Sequence, residues 1–177
     1  MAVYDPMAKK VLFVCLGNIC RSPLAEGIFA HLMRERGLAD RYRIDSAGTG
    51  DWHVGQPPDR RSIAAAQKRG VPLPSIGRQV RRADFAEFDL IVAMDRNNRR
   101  DLEALAPAGQ GGKIKLMRAF EPSGDREGDV PDPYYGGPFE FDTVYEMLLR
   151  CCARMLDDLE GADSPVAGAG SGSGIPR

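Results

Sequence analysis

Apolar residues come in two patterns along this chain, short unbroken runs and stripes of helical period, and the two alternate. Val11-Leu12-Phe13-Val14-Cys15-Leu16 is unbroken and of strand length, which predicts a parallel strand buried on both faces. Ser22-Pro23 then reads as an N-cap and first helical residue. Behind it Leu24, Ile28, Phe29, Leu32 and Met33 follow helical period, and Gly37 closes the helix. A second strand is expected over about residues 42–46 and a second helix over about 59–69, with the Gly-rich stretch Ala47-Gly48-Thr49-Gly50 between them and Gly70 at the end. Leu90-Ile91-Val92-Ala93-Met94 is another buried-strand run; Asp95 caps the helix after it, which stops before Pro107. Residues 113–117 make a weaker fourth strand. The last helix is expected over about 139–160, with Phe141, Val144, Tyr145, Leu148, Cys152, Met155 and Leu159 facing inward.

Strands alternating with helices predict an α/β fold, a parallel sheet with helices on both faces. Right-handed crossovers put the functional loops at the carboxyl ends of the strands. One domain is expected over residues 9–160, after a short lead (1–8) and before a Gly- and Ser-rich tail (161–177) expected to be disordered. No internal repeat is visible.

Composition narrows the function classes more than it names one. The chain has 177 residues, 43% hydrophobic and 28% charged, enough to build a core. A net charge of −1 gives no reason to expect nucleic acid or a membrane surface as partner. No apolar leader or membrane-length run is present, so an intracellular, cytoplasmic setting without membrane insertion is expected. The four cysteines, at 15, 20, 151 and 152, do not form a disulfide framework. His31 and His53 stand at no zinc spacing, so no metal or other cofactor is expected.

The chemistry is concentrated in Cys15-Leu16-Gly17-Asn18-Ile19-Cys20-Arg21-Ser22-Pro23, which joins the first strand to the first helix. Helix amino ends present unpaired N–H groups and partial positive charge, so they attract anions. Gly17 allows a tight turn and Asn18 tolerates the left-handed conformation of a curling loop. Wrapped round a phosphate, the loop N–H groups converge on its oxygens. Cys15 then sits below phosphorus while Arg21 closes the ring, its guanidinium able to bind two oxygens. These positive surroundings favour thiolate over thiol. Ser22 is placed to donate a hydrogen bond to that sulfur.

This string resembles the phosphate loop of the low-molecular-weight protein tyrosine phosphatase family, and Asp132-Pro133-Tyr134-Tyr135 resembles its general-acid loop. Asp45-Ser46-Ala47-Gly48-Thr49, Trp52-His53-Val54-Gly55 and Met94-Asp95 with Asn98 extend the resemblance over about residues 9–160. It implies a single domain with a four-stranded parallel sheet of flavodoxin-like type. It implies that Cys15 attacks phosphorus, Arg21 binds substrate and stabilises the transition state, and Asp132 protonates the leaving phenolate and later activates water. Leu16, Gly17, Asn18, Ile19, Cys20, Ser22 and Ser46 correspond to residues that form or support the loop. Leu16, Trp52, Tyr134 and Tyr135 correspond to pocket walls suited to an aryl phosphate. The implied partners are tyrosine-phosphorylated proteins and inorganic phosphate or other oxyanions, bound by a monomer. The family's histidine near the end of the second helix is missing, where Lys68-Arg69-Gly70 stands.

Blander readings stand beside these. A cysteine ending a buried strand is often a small hydrophobe. Cys20 is either loop packing or the partner of a reversible Cys15–Cys20 disulfide that shields the nucleophile. Asp132 between prolines is also a turn residue, and Tyr134 and Tyr135 are also packed aromatics or phosphorylation sites. His53 receives no chemical role. The basic clusters 78–82 and 96–100 read as solvated faces, and Cys151 and Cys152 as core thiols. Three other functions compete. A thiol arsenate reductase needs further cysteines between Cys20 and Cys151, and none is there. A protein-arginine phosphatase of the same family typically carries Thr where Ile19 stands. A non-catalytic phosphoprotein-binding module is expected to lose Cys15 or Asp132.

Overall fold

A computed structural model describes residues 7–163. Four parallel strands, β1 (Lys9–Cys15), β2 (Tyr42–Gly48), β3 (Leu90–Ala93) and β4 (Ile114–Leu116), form one sheet in the order β2-β1-β3-β4. Five helices accompany them: α1 (Arg21–Glu35), α2 (Arg60–Gln67), α3 (Asp84–Glu87), α4 (Arg96–Leu105) and α5 (Pro138–Asp163). The expected α/β fold with a four-stranded parallel sheet is what the structure has. Among the described residues no helix is long and apolar enough to cross a membrane.

The unbroken run in β1 is explained by two cores, one on each face of the sheet. Val11, Phe13 and Cys15 point into a cluster with Leu24, Ile28 and Phe29 of α1 and Leu148, Cys152 and Met155 of α5. Leu12 and Val14 point the other way, against Phe85 and Phe88 at α3 and Leu102 of α4. Alternate side chains of a strand face opposite sides, so a strand covered on both must be apolar throughout. Cys151 and Cys152 are both buried, as core thiols should be. Leu159 is only partly buried at the edge of the same cluster.

Strand order reverses at β1. The chain moves outward from β1 to β2, then returns past β1 to β3, so a crevice opens at the carboxyl end of β1. Cys15 is the last residue of that strand.

Several boundaries differ from expectation. Ser22 is not the N-cap: α1 starts at Arg21, after Cys20, with no side-chain cap. The Ser22 hydroxyl is occupied by Cys15 and Asn18 instead, and Pro23 falls in the first turn, where a missing N–H costs no helical bond. Gly37, at φ 67, does end α1, and the Leu38 N–H closes onto the Met33 carbonyl. Asp95 caps α4 by accepting from the Asn98 N–H at 2.7 Å. β1 stops one residue before Leu16, and β2 runs on to Gly48. The short α3 was not expected, and α5 continues to Asp163, beyond residue 160. The rest of the expected tail, and most of the lead, lie outside the described residues.

Candidate active site

The loop from Leu16 to Cys20 curls because its carbonyls are tied outward. The Thr49 N–H donates to the Cys15 carbonyl and the Gly50 N–H to the Leu16 carbonyl, both at 2.9 Å, and the Asp59 N–H donates to the Ile19 carbonyl at 2.8 Å. With the carbonyls fixed on that side, the N–H groups of Leu16, Gly17, Ile19 and Cys20 donate to no protein group among the described residues. Ile19 and Cys20 are buried, and buried backbone donors ordinarily find a partner, so this loop is suited to an external acceptor. Asn18 supplies the sharp bend at φ 55. Gly48 leaves room for the loop, since a Cβ there would lie 2.7 Å from the Leu16 carbonyl oxygen.

Asn18 also pins the bend with both ends of its side chain. Its Nδ2 donates to Ser22 Oγ at 2.8 Å and to Ser46 Oγ at 3.0 Å, while its Oδ1 accepts from the Arg78 N–H at 3.0 Å. The Asn18 backbone N–H donates to Cys15 Sγ at 3.2 Å, and Ser22 Oγ lies 3.0 Å from the same sulfur. Cys15 is 2% exposed, so its sulfur sits at the floor of the crevice with two polar neighbours.

Arg21 is as buried as Cys15, and its guanidinium is held from the far side. Nη1 donates to Asp95 Oδ2 at 2.6 Å and to the Val130 carbonyl at 3.0 Å; Nη2 reaches Asp132 Oδ2 at 3.3 Å. Burial opposes its charge, but Cys15, Asp95 and Asp132 raise its pKa further above the usual range. Asp132 itself is exposed, on a turn where its Oδ1 accepts from the Tyr134 N–H at 3.1 Å.

Cys15, Arg21 and Asp132 line a cavity of about 300 Å³ together with Leu16, Gly17, Ile19, Cys20, Trp52, His53, Tyr134 and Tyr135. Leu16, Trp52, Tyr134 and Tyr135, expected as walls, are all on it. Trp52 lies over Gly50, where a Cβ would come 1.9 Å from its ring. Tyr134 and Tyr135 pack edge to face at 4.9 Å between centroids. His53, given no role from the sequence, lies against Gly17 and lines the same cavity.

Cys20 lines this cavity and packs in a small apolar cluster with Ile19, Ala65 and Phe141. Burial, then the nearby Asp59, push its thiol up to about 12, so it is protonated at neutral pH. All four cysteines are free.

Two supports escaped the sequence reading. Glu26 Oε2 accepts from Ser46 Oγ at 2.5 Å, which adds a carboxyl to the Asn18–Ser46 line. Arg78, read as part of a solvated cluster, is instead partly buried: its guanidinium donates to Asp45 Oδ2 at 2.9 Å and Asp84 Oδ2 at 3.0 Å while its backbone holds Asn18. Asp84 is fully buried, so Arg78 balances a charge that has no water. Arg96, from the other basic cluster, pairs with Asp129 beside the acid loop.

Comparison with known proteins adds an independent line. Residues 10–164 match the family described as low molecular weight phosphotyrosine protein phosphatase. The chain is 41% identical over 155 residues to the protein of that name from Pongo abelii, covering 86% of this chain and 97% of that one. It resembles the crystal structure of a protein tyrosine phosphatase from Entamoeba histolytica with Hepes in the active site, at TM-score 0.84 and 39% identity, covering 89% of this chain and all of that one. It also resembles an arginine phosphatase from Drosophila, at TM-score 0.80 and 37% identity, covering 87% and 99%.

Proposed function

The chain belongs to the low molecular weight phosphotyrosine protein phosphatase family, and from that premise we propose that it hydrolyses phosphotyrosine in proteins through a cysteinyl-phosphate on Cys15. In the first step the Cys15 sulfur attacks phosphorus as the bond from phosphorus to the phenolic oxygen breaks. Asp132 gives its proton to that oxygen, so the leaving group departs neutral. In the second step Asp132, now a carboxylate, takes a proton from water as the water oxygen attacks phosphorus. The S–P bond breaks, and the Ser22 hydroxyl and Asn18 N–H stabilise the returning thiolate. Loop N–H groups and Arg21 offset the charge on the phosphoryl oxygens in both steps. The scheme calls for no metal.

One observation carries the reading: a buried sulfur with two polar neighbours lies beneath a ring of N–H groups that have no protein acceptor, beside a buried guanidinium. The aromatic walls above it suit an aryl ring. Ile19, apolar and against the cavity, supports phosphotyrosine over phosphoarginine. The proposed setting is the cytoplasm, where thiols stay reduced, with the enzyme acting as a monomer.

The test is turnover of phosphotyrosine and phosphoarginine peptides side by side, with Cys15→Ser as control. Phosphotyrosine should be preferred, and Cys15→Ser should abolish hydrolysis while still binding phosphate. Substantial remaining turnover would remove Cys15 from its role. A preference for phosphoarginine would reassign the substrate.

A further inference from the structure

Large apolar side chains exposed on this protein are concentrated at one place. Among the described residues, those exposed are Met7, Leu16, Trp52, Val54, Ile76, Tyr134, Tyr135 and Phe139. Leu16, Trp52, Tyr134 and Tyr135 line the catalytic cavity. Val54, Ile76 and Phe139 do not, but Val54 is on the turn that carries Trp52, Ile76 is next to Gly77, which is bonded to that turn, and Phe139 follows Tyr135 by four residues.

Val54 lies two residues past Trp52, in a turn closed by its own N–H to the Asp51 carbonyl at 3.3 Å. Ile76 is joined to that turn through Gly77: the Gly55 N–H donates to the Gly77 carbonyl and the Gly77 N–H to the Gln56 carbonyl, each at 2.8 Å. The two segments approach so closely that a Cβ on Gly77 would lie 2.4 Å from the His53 carbonyl oxygen. Trp52, Val54 and Ile76, exposed by 66%, 55% and 57%, therefore form one bank: Trp52 lines the cavity, and the other two stand on the bonded segments beside it. A second bank carries Tyr134 and Tyr135, with Phe139, the second residue of α5, four residues on and exposed by 79%. Scattered exposed apolar residues are ordinary, but a group on both sides of a binding cavity marks a surface that is covered in use.

We propose that these banks bind the polypeptide on either side of the substrate phosphotyrosine and select apolar flanking residues. The inference rests on the proposed phosphotyrosine activity and extends the cavity outward. Continuity with the cavity decides the occupant: whatever puts a phosphorylated ring over Cys15 must lay its own chain across Trp52 and Tyr134. Apolar side chains there exchange water for Val54, Ile76 and Phe139, whereas charged ones gain no partner from those three.

The test compares kcat/KM for phosphotyrosine peptides of equal length and charge, flanked either by Leu, Ile and Val or by Ser and Gln. A Val54→Ser/Ile76→Ser double variant and p-nitrophenyl phosphate, which has no flanking chain, complete the set. The wild type should prefer the apolar-flanked peptides by about tenfold, equivalent to about 1.4 kcal/mol. The double variant should lose most of that preference while hydrolysing p-nitrophenyl phosphate at the wild-type rate. Equal kcat/KM for both peptide classes, or a preference that survives the double substitution, would overturn the proposal. Wild-type self-association in sedimentation, abolished by the double variant and without a peptide preference, would also overturn it, assigning the banks to a second copy of the chain. Hydrolysis of p-nitrophenyl phosphate with no turnover of any phosphotyrosine peptide would instead sink the underlying activity.

Discussion

Arg96 grips Asp129 with both its backbone and its side chain. The Arg96 N–H donates to Asp129 Oδ1 at 2.9 Å, and its guanidinium reaches the two carboxylate oxygens at 3.1 and 3.3 Å. The neighbours on each side of this pair meet at Arg21. Asp95 binds one nitrogen of its guanidinium and Val130 offers its carbonyl to the same nitrogen, while the Val130 N–H is fixed to the Met94 carbonyl at 2.8 Å. Asp129 thus anchors the start of the loop that carries Asp132.

Asp129→Ala should therefore lower kcat more than it raises KM, by roughly 3–10-fold, since a misplaced proton donor loses part of the roughly 100–10,000-fold that general acid catalysis contributes. The loss should grow across an aryl phosphate series as the leaving group becomes more basic. A uniform loss across the series would mean that Asp129 supports the fold and not the acid. The pair is solvent-exposed, so added salt should move the wild type in the same direction as the substitution.

Gly50 and Trp52 give a test of the cavity wall. The chain has one tryptophan, so its fluorescence reports this site alone. Because a Cβ on Gly50 would intrude on the Trp52 ring, Gly50→Val should shift the emission and raise KM for phosphotyrosine peptides several-fold. The kcat should stay close to wild type, because Gly50 holds the loop through its backbone N–H on the Leu16 carbonyl, which valine keeps. Unchanged emission and KM would show that Trp52 takes up its position independently of Gly50.

How far all this is readable from sequence depends on how local each feature is. The run from Val11 to Pro23 is contiguous, so a buried strand, an anion loop and a helix start could be read together. Ser22 shows the limit of that reading. The capping rule applied to its residue type, but a sulfur seven residues back competed for the hydroxyl and won. The Arg78 network was illegible for a different reason. Its partners Asp45 and Asn18 lie 33 and 60 residues away, so a cluster of arginines reads as solvated until the fold closes over one of them. His53 stood in a matched stretch, but its residue type named no role; its place on the cavity, against Gly17, appears only in the fold. The four-residue α3 is too short to show helical period.

Cysteine labelling separates the four thiols. Cys20 and Cys151 are pushed up to about 12, chiefly by burial, and Cys152 is raised well above the usual thiol range for the same reason. Thiols in that state react slowly with alkylating agents. Iodoacetate at neutral pH should label Cys15 first, as an anion drawn to the loop, with loss of activity in step with labelling and protection by inorganic phosphate. Labelling of Cys20 at a comparable rate, measured by peptide mass spectrometry, would contradict the buried, protonated state assigned to it.

Glu26 offers a prediction with a definite sign. Its carboxyl pKa is raised, first by burial and further by Asp45, against hydrogen bonds from Ser46 and Ser75 and the more distant charge of Arg78. An acid with a raised pKa in the folded state favours folding in its protonated form. Its contribution is therefore full below the unfolded pKa and is lost as pH rises through the folded one. Glu26→Gln removes the charge while its side-chain oxygen can still accept from Ser46 Oγ. The variant should be more stable than wild type at pH 7 and no more stable below pH about 4, the unfolded carboxyl range. A gain of about 1 kcal/mol would appear as a rise in Tm of about 2–4 °C for a domain of this size. Melting curves at the two pH values decide the matter: a variant less stable at pH 7 would mean that the Glu26 charge is needed by the Ser46–Asn18 line and so by the loop that holds Cys15.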